Sequence, residues 1–312
     1  MISILSALAP LFGLIVIGYL LKSRSFLDDG FWSKTEWLTF YILFPSLLVT
    51  RIGGAETAGS ELLPMAGALI IAMLMVSGGV TLARPLLFKQ GLNGPAFTSV
   101  FQGAIRPGTY VGFGAAYALY GDEGLALIAA AIIAVIPLGN FLSLVALFRW
   151  NGEHQSREGQ PGLRDVIVPA LKNPIILACL IGAGLNISGF GLPPVIGPLL
   201  SAVGSTALPL GLMAVGAGLD FVAVRDARGF VAGTSIIKLV VAPGITYLAC
   251  LAFGVSGMPM TVAVLFMALP VAGASYVMSR QLGGDGPLMA GIITATTIAA
   301  GVTLPMVIML VG

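Results

Sequence analysis

Phe-Gln-Gly-Ala-Ile-Arg-Pro-Gly-Thr-Tyr, residues 101–110, is the stretch on which the fold turns. It lies midway along an apolar run, 95–120, long enough to cross a bilayer, for which about 20 mostly apolar residues suffice. Pro107 removes a backbone donor and crowds the preceding turn, so a helix must break or kink there. Freed backbone groups cannot face hydrocarbon, and such a break must be buried in protein or line a hydrated cavity. Ala-Leu-Pro-Val-Ala-Gly-Ala-Ser-Tyr at 268–276 repeats the pattern, with Pro270 in mid-span, glycine nearby and Tyr276 six residues on. If both helices unwind and cross, their half-helix ends meet near the midplane. Helix N-termini there carry partial positive charge, and loose carbonyls can hold a cation.

Composition sets the solvent. Of 312 residues, 57% are apolar and only 9% charged, against about 25% charged in a soluble domain. With mean hydropathy at +1.02, the chain must be solvated largely by lipid, as a multi-pass, all-α membrane protein. A net charge of +2 without a basic tract implies no nucleic-acid partner. Cys179 and Cys250 sit in apolar runs and the single histidine, His154, lies in a polar loop, so no metal cluster can be drawn and no cofactor is expected. An enzyme would need a nucleophile with its base, or a metal; neither is in view, and the chain is not read as one.

Ten apolar stretches have the length of a span: 2–21, 34–52, 64–87, 95–120, 124–148, 170–187, 194–219, 229–254, 258–281 and 287–311. Loops on one side carry Lys22, Arg24, Lys34, Arg84, Lys89, Arg149, Arg157, Arg164, Lys172, Arg225, Arg228 and Arg280, and those on the other only Arg51. By the positive-inside rule, the first side is cytoplasmic. Both termini are then outside, in a bacterial inner membrane, with the polar loop 149–169 within the cell.

The halves repeat. Pro10, Gly18 and Pro45 recur as Pro174, Gly182 and Pro209 at an offset of 164; Pro107 and Asp122 recur as Pro270 and Asp285 at 163. This predicts a first five-helix repeat over 1–148 and a second over 170–312. An odd helix number inverts the second repeat, an architecture on which secondary transporters build alternating access. Pro45 and Pro209 are read as hinge kinks, Pro45 also as a wall of a site.

Arg106 lies about eleven residues from the nearer end of its span, where arginine costs about 2.5–3.5 kcal/mol unless it faces protein or water. Its donor fork matches a carboxylate; capping carbonyls freed by Pro107 is the alternative. Lys238, also in mid-span, can serve an anion, pair structurally or snorkel to the interface. The expected binding set is Arg106, Pro107, Gly108, Thr109, Tyr110, Pro270, Ser275 and Tyr276, with Gln102, Pro45, Asn140 and Lys238 as its wall. No Asp or Glu lies near the middle of a span, which argues against a carboxylate-based cation exchanger. Sodium held by carbonyls and hydroxyls, or an anion driven by voltage, remain as energy sources.

Gly13–Leu21 with Lys22, Asn173-Pro174 with Gly182 and Asn186, and Ile105–Tyr110 resemble a bacterial member of the auxin efflux carrier family. So do Leu269-Pro270 through Tyr276, Gly283-Gly284-Asp285 and Thr303-Leu304-Pro305, so that the resemblance covers nearly the whole chain. The family also contains proposed malonate and malate carriers. The resemblance implies inverted five-helix repeats, a scaffold and a transport domain each drawn from both, and crossed fourth and ninth helices, similar to the bile-acid/sodium symporter fold. Where family members carry asparagine in the broken fourth helix, this chain has Gly108, and its cytoplasmic loop is short. The expectation is a carrier of small organic anions of the carboxylate class, with a sodium-coupled symporter of an amphipathic, bile-acid-type anion as the alternative. Sodium or proton coupling stays open, as does a homodimer, since small-residue pairs such as Gly182 and Gly184 pack helices within a protomer as readily as between two.

Overall fold

A computed structural model describes residues 2–54, 62–150, 172–188, 191–192 and 194–312. The loop expected at 149–169, with His154, Arg157 and Arg164, lies outside the described residues from 151 onward. Helices account for the regular structure of the described residues: α1 (Ile2–Ser23), α2 (Asp29–Leu38), α3 (Phe44–Gly53), α4 (Leu62–Lys89), α5 (Gly94–Ile105), α6 (Thr109–Trp150), α7 (Pro174–Ser188), α8 (Ile196–Gly204), α9 (Ala207–Ala217), α10 (Phe221–Asp226), α11 (Arg228–Ile236), α12 (Ala242–Ala252), α13 (Gly257–Ala268), α14 (Ala274–Gln281) and α15 (Gly286–Val311). One isolated antiparallel bridge joins Pro107 to Val271.

Among the described residues, six segments are long and apolar enough to cross a membrane: Ser6–Ser23, Leu62–Lys89, Thr109–Trp150, Ile196–Ala217, Arg228–Ala252 and Gly286–Val311. Pro174–Ser188 and Gly257–Ala268 are shorter apolar helices. The 42 residues of α6 are two helical runs meeting at Gly121 (φ 60°, ψ −142°), a conformation open to glycine at little cost. Leu82 and Leu310 are more than four-fifths exposed, as side chains bathed in lipid would be.

The chain forms two compact units. The first takes Met1–Leu62, Tyr110–Ile133 and Pro169–Gly218, and the second Leu63–Thr109, Ala134–Val168 and Leu219–Gly312. In the first, α1 packs on α9 so closely that a Cβ at Gly18 would overlap the Met213 carbonyl, and one at Gly216 the Ile15 carbonyl. Small residues let helix backbones touch in this way where lipid supplies no hydrophobic drive. Gly182 of α7 meets Leu48 and Ile52 of α3 likewise. A π-type turn, Thr39–Leu43, leads into Pro45. Phe44 is fully buried there and stacks on Tyr110, with ring centroids 4.7 Å apart and planes 5° from parallel.

In the second unit α15 is central. Its N-terminus is capped by Asp285, whose carboxylate accepts from the Leu288 N–H at 2.9 Å. Its buried face carries Thr294, Thr296 and Thr297. Gly291 stands against the backbone of Ala223 in α10, and Gly103 of α5 against Thr234 and Ile292. A second π-type turn, Ile237–Val241, joins α11 to α12 and places Lys238 in the interior.

The α1–α9 contact gives a direct test. Gly216→Ala and Gly18→Ala force backbones apart and are expected to cost about 1–3 kcal/mol each, read as a lower Tm in detergent. Gly78→Ala on α4, where nothing stands within 4 Å of the added Cβ, is expected to leave Tm unchanged or slightly raised.

Candidate functional site

The local chemistry of two prolines builds the site. α5 starts at an Asn93 cap, whose side chain accepts from the Ala96 N–H at 2.9 Å, and its last helical bond runs from the Arg106 N–H to the Gln102 carbonyl. Pro107 has no N–H to continue, and Arg106 is extended (φ −94°, ψ 106°). α13 stops the same way: Leu269 is extended (φ −61°, ψ 149°) ahead of Pro270. Each break supplies what the other lacks. The Gly108 N–H donates to the Pro270 carbonyl at 2.7 Å, and the Ala272 N–H to the Arg106 carbonyl at 3.2 Å. A Cβ at Gly108 would stand 3.0 Å from that Pro270 oxygen, so the pairing itself favours glycine there.

Two further groups at the α13 break find side-chain partners. The Val271 N–H, which a continuous helix would give to Met267, donates instead to Thr296 Oγ1 at 3.2 Å. The Met267 carbonyl accepts from Lys238 Nζ at 3.0 Å. Lys238 is fully buried; it does not snorkel, and of the roles read for it the structural pairing is the one present.

Side chains continue the cluster. Arg106 is 9% exposed; its Nη1 lies 3.3 Å from Gln102 Oε1 and 3.0 Å from Met278 Sδ. Gln102 Nε2 donates to Ser279 Oγ at 3.1 Å. Ser275, Met278 and Ser279 stand at i, i+3 and i+4, on one face of α14. Ser275 Oγ is buried with no hydrogen-bond partner among the described residues. Tyr276 is half-buried, under the Arg280 guanidinium at 5.9 Å, and Thr109 and Asn140 are half-buried. Tyr110 and Pro45 belong to the first unit.

The charges are unequal. Ion pairs among the described residues include Lys22–Asp29 and Arg51–Asp122; neither Arg106 nor Lys238 meets a carboxylate among the described residues. Arg51 lines a cleft of about 420 Å³ in the first unit with Thr50, Asp122 and Ser201. Its charge is already answered by Asp122 at 3.3 Å and the Tyr117 ring. Arg106, by contrast, is a buried cation with no carboxylate against it among the described residues. No group of three metal-ligating side chains occurs among the described residues.

Apolar helices with lipid-facing sides, and a buried cationic break in which paired backbones leave polar side chains over, define an integral membrane protein suited to moving a solute. The family described as membrane transport protein matches residues 162–308. An uncharacterized transporter of Methanothermobacter thermautotrophicus is 26% identical over 303 residues, covering 94% of this chain and 93% of the relative.

Sequence reasoning missed Met278, Ser279, Thr296 and the Met267 carbonyl. The first two were within reach, being one turn beyond Ser275. Thr296 offers a controlled test. Thr296→Val strands the buried Val271 N–H and is expected to cost about 1–3 kcal/mol. Thr297→Val removes only a bond to the Ile293 carbonyl, 2.7 Å away within its own helix, and is expected to stay within about 0.5 kcal/mol of the wild type; paired thermal melts compare the two.

Proposed function

We propose that this transporter is a secondary carrier of small organic anions, carboxylates foremost, working by alternating access. The observation that carries the reading is Arg106: a buried guanidinium at a helix break, held by Gln102 and Met278, with no carboxylate against it among the described residues. A carboxylate accepts two parallel bonds from such a fork. The unpartnered Ser275 hydroxyl, on the α14 face that meets Arg106 and Gln102, offers a further donor. The first turn of α14 adds partial positive charge. Thr109 and Tyr276 flank these groups in sequence and complete the proposed site.

Alternating access rests on the repeat. The matched prolines at 107 and 270 support ten crossings in two inverted five-helix halves, with both termini outside the cytoplasm. That each compact unit draws on both halves supports a scaffold and a transport domain of the same mixed descent. An inside-negative membrane gives an outward-moving monoanion about 2.3 kcal/mol per 100 mV, enough to drive export without a coupling ion.

Labelled malonate, malate and indole-acetate are offered to proteoliposomes with voltage and sodium varied independently. Flux is expected to follow voltage, and Arg106→Ala to lower it by about 30-fold or more, the loss of about 2 kcal/mol from a buried charged pair. Sodium-dependent flux of a bile-acid-type anion, indifferent to Arg106, would overturn the reading in favour of a symporter and make the arginine structural.

A further inference from the structure

Lys238 is the other buried cation among the described residues of the second unit, and its bond is to a backbone carbonyl. Its place is defined by the α13 break. In an unbroken helix the Met267 carbonyl would accept from the Val271 N–H, but that N–H is turned to Thr296. The Phe266 carbonyl would accept from residue 270, but Pro270 has no N–H and that carbonyl takes the Leu269 N–H at 3.4 Å instead. The C-terminus of α13 thus presents carbonyl oxygen in mid-span, with the negative end of the helix dipole behind it. Freed carbonyls at half-helix ends are where carriers of this architecture hold a coupling cation. Here the position is filled from within the chain: Lys238 Nζ donates to Met267 O at 3.0 Å and is wholly buried. The π-type turn beneath it carries one extra residue, its closing bond running from the Ala242 N–H back to the Ile237 carbonyl. Such turns are an uncommon device, often found at functional sites.

We propose that the Lys238 ammonium is a built-in substitute for a coupling cation at the α13 break, so that the transporter folds and cycles without sodium. A neutral donor would suffice to satisfy a carbonyl. A full charge costs far more to bury, and it is what a helix end stripped of its next turn would otherwise draw from solution. The proposal rests on the carrier reading only where flux is measured.

The test is thermal unfolding of the purified protein in sodium chloride, lithium chloride and choline chloride at equal ionic strength. The wild type is expected to melt at one temperature in all three. Lys238→Ala opens the site and is expected to melt lower in choline and to regain about 2 °C or more in sodium or lithium, as a protein does when a ligand binds its folded state. Lys238→Gln, which keeps a donor but no charge, serves if the alanine variant does not accumulate, and the same cation response is expected. A wild type stabilised by sodium overturns the proposal, as does a variant whose melting is indifferent to all three cations. Flux in sodium-free proteoliposomes is the second arm. Sodium-dependent melting with Arg106-dependent anion flux defeats this inference alone; sodium-indifferent melting with no anion flux defeats the carrier reading alone.

Discussion

A backbone amide or carbonyl cannot be left facing hydrocarbon, and two prolines in mid-span leave several of each. Everything particular about the second unit follows from how those groups are settled. Gly108 and Ala272 donate across to the opposite break, which holds two helix interruptions at one level and brings the Gly108 backbone close against the Pro270 carbonyl. Thr296 is spent on one remaining N–H and Lys238 on one remaining carbonyl. The α5, α13 and α15 contacts are therefore fixed by hydrogen-bond completion as much as by packing. A change at any of these positions acts on the break before it acts on anything bound there.

The electrostatics of the interior differ from those of the surface. Where Arg51 and Lys22 are exposed, they meet Asp122 and Asp29, pairs that at such exposure contribute little. Inside, Arg106 and Lys238 meet an amide oxygen, a thioether and a carbonyl. Positive charge that is desolvated and answered only by dipoles raises the local potential. Such an interior attracts an anion and repels a second free cation, which supports the proposal of an anionic cargo over cation exchange.

The lipid solvent of this chain and its all-helical character were legible because they depend on composition and on proline chemistry, whereas six long apolar segments, against ten expected spans, stand among the described residues. The boundary drawn between 120 and 124 falls where Gly121 turns α6, and the breaks at Pro107 and Pro270 fall where the missing N–H dictates. The π-type turns at Thr39–Leu43 and Ile237–Val241 were not legible, since a single widened turn leaves no trace in hydrophobic periodicity. Partners were harder still. Ser279 lies 177 residues from Gln102, and the oxygen that Lys238 finds belongs to a backbone, which any residue could have supplied. Snorkelling was a fair expectation for a lysine ten residues into a span; it fails because the interior already held an acceptor that water could not reach.

Arg106 and Lys238 share a sign and a depth but not a chemistry. A guanidinium has five donors in a plane, and its recorded partners, Gln102 Oε1 and Met278 Sδ, are both neutral and both on one terminal nitrogen. Its remaining edge is suited to an oxygen pair that arrives and leaves. An ammonium is a compact point charge, and once set on the carbonyl end of a broken helix it resembles a bound metal cation more than a recognition group. The same physical problem, an interrupted helix in lipid, thus has two cationic answers in one unit, of which, in the function proposed, one leaves its charge available to a ligand and the other commits it to the fold. That division of labour would be lost if the two residues were exchanged: a lysine at 106 could not span two oxygens in parallel, and an arginine at 238 would bring a planar fork to a single carbonyl.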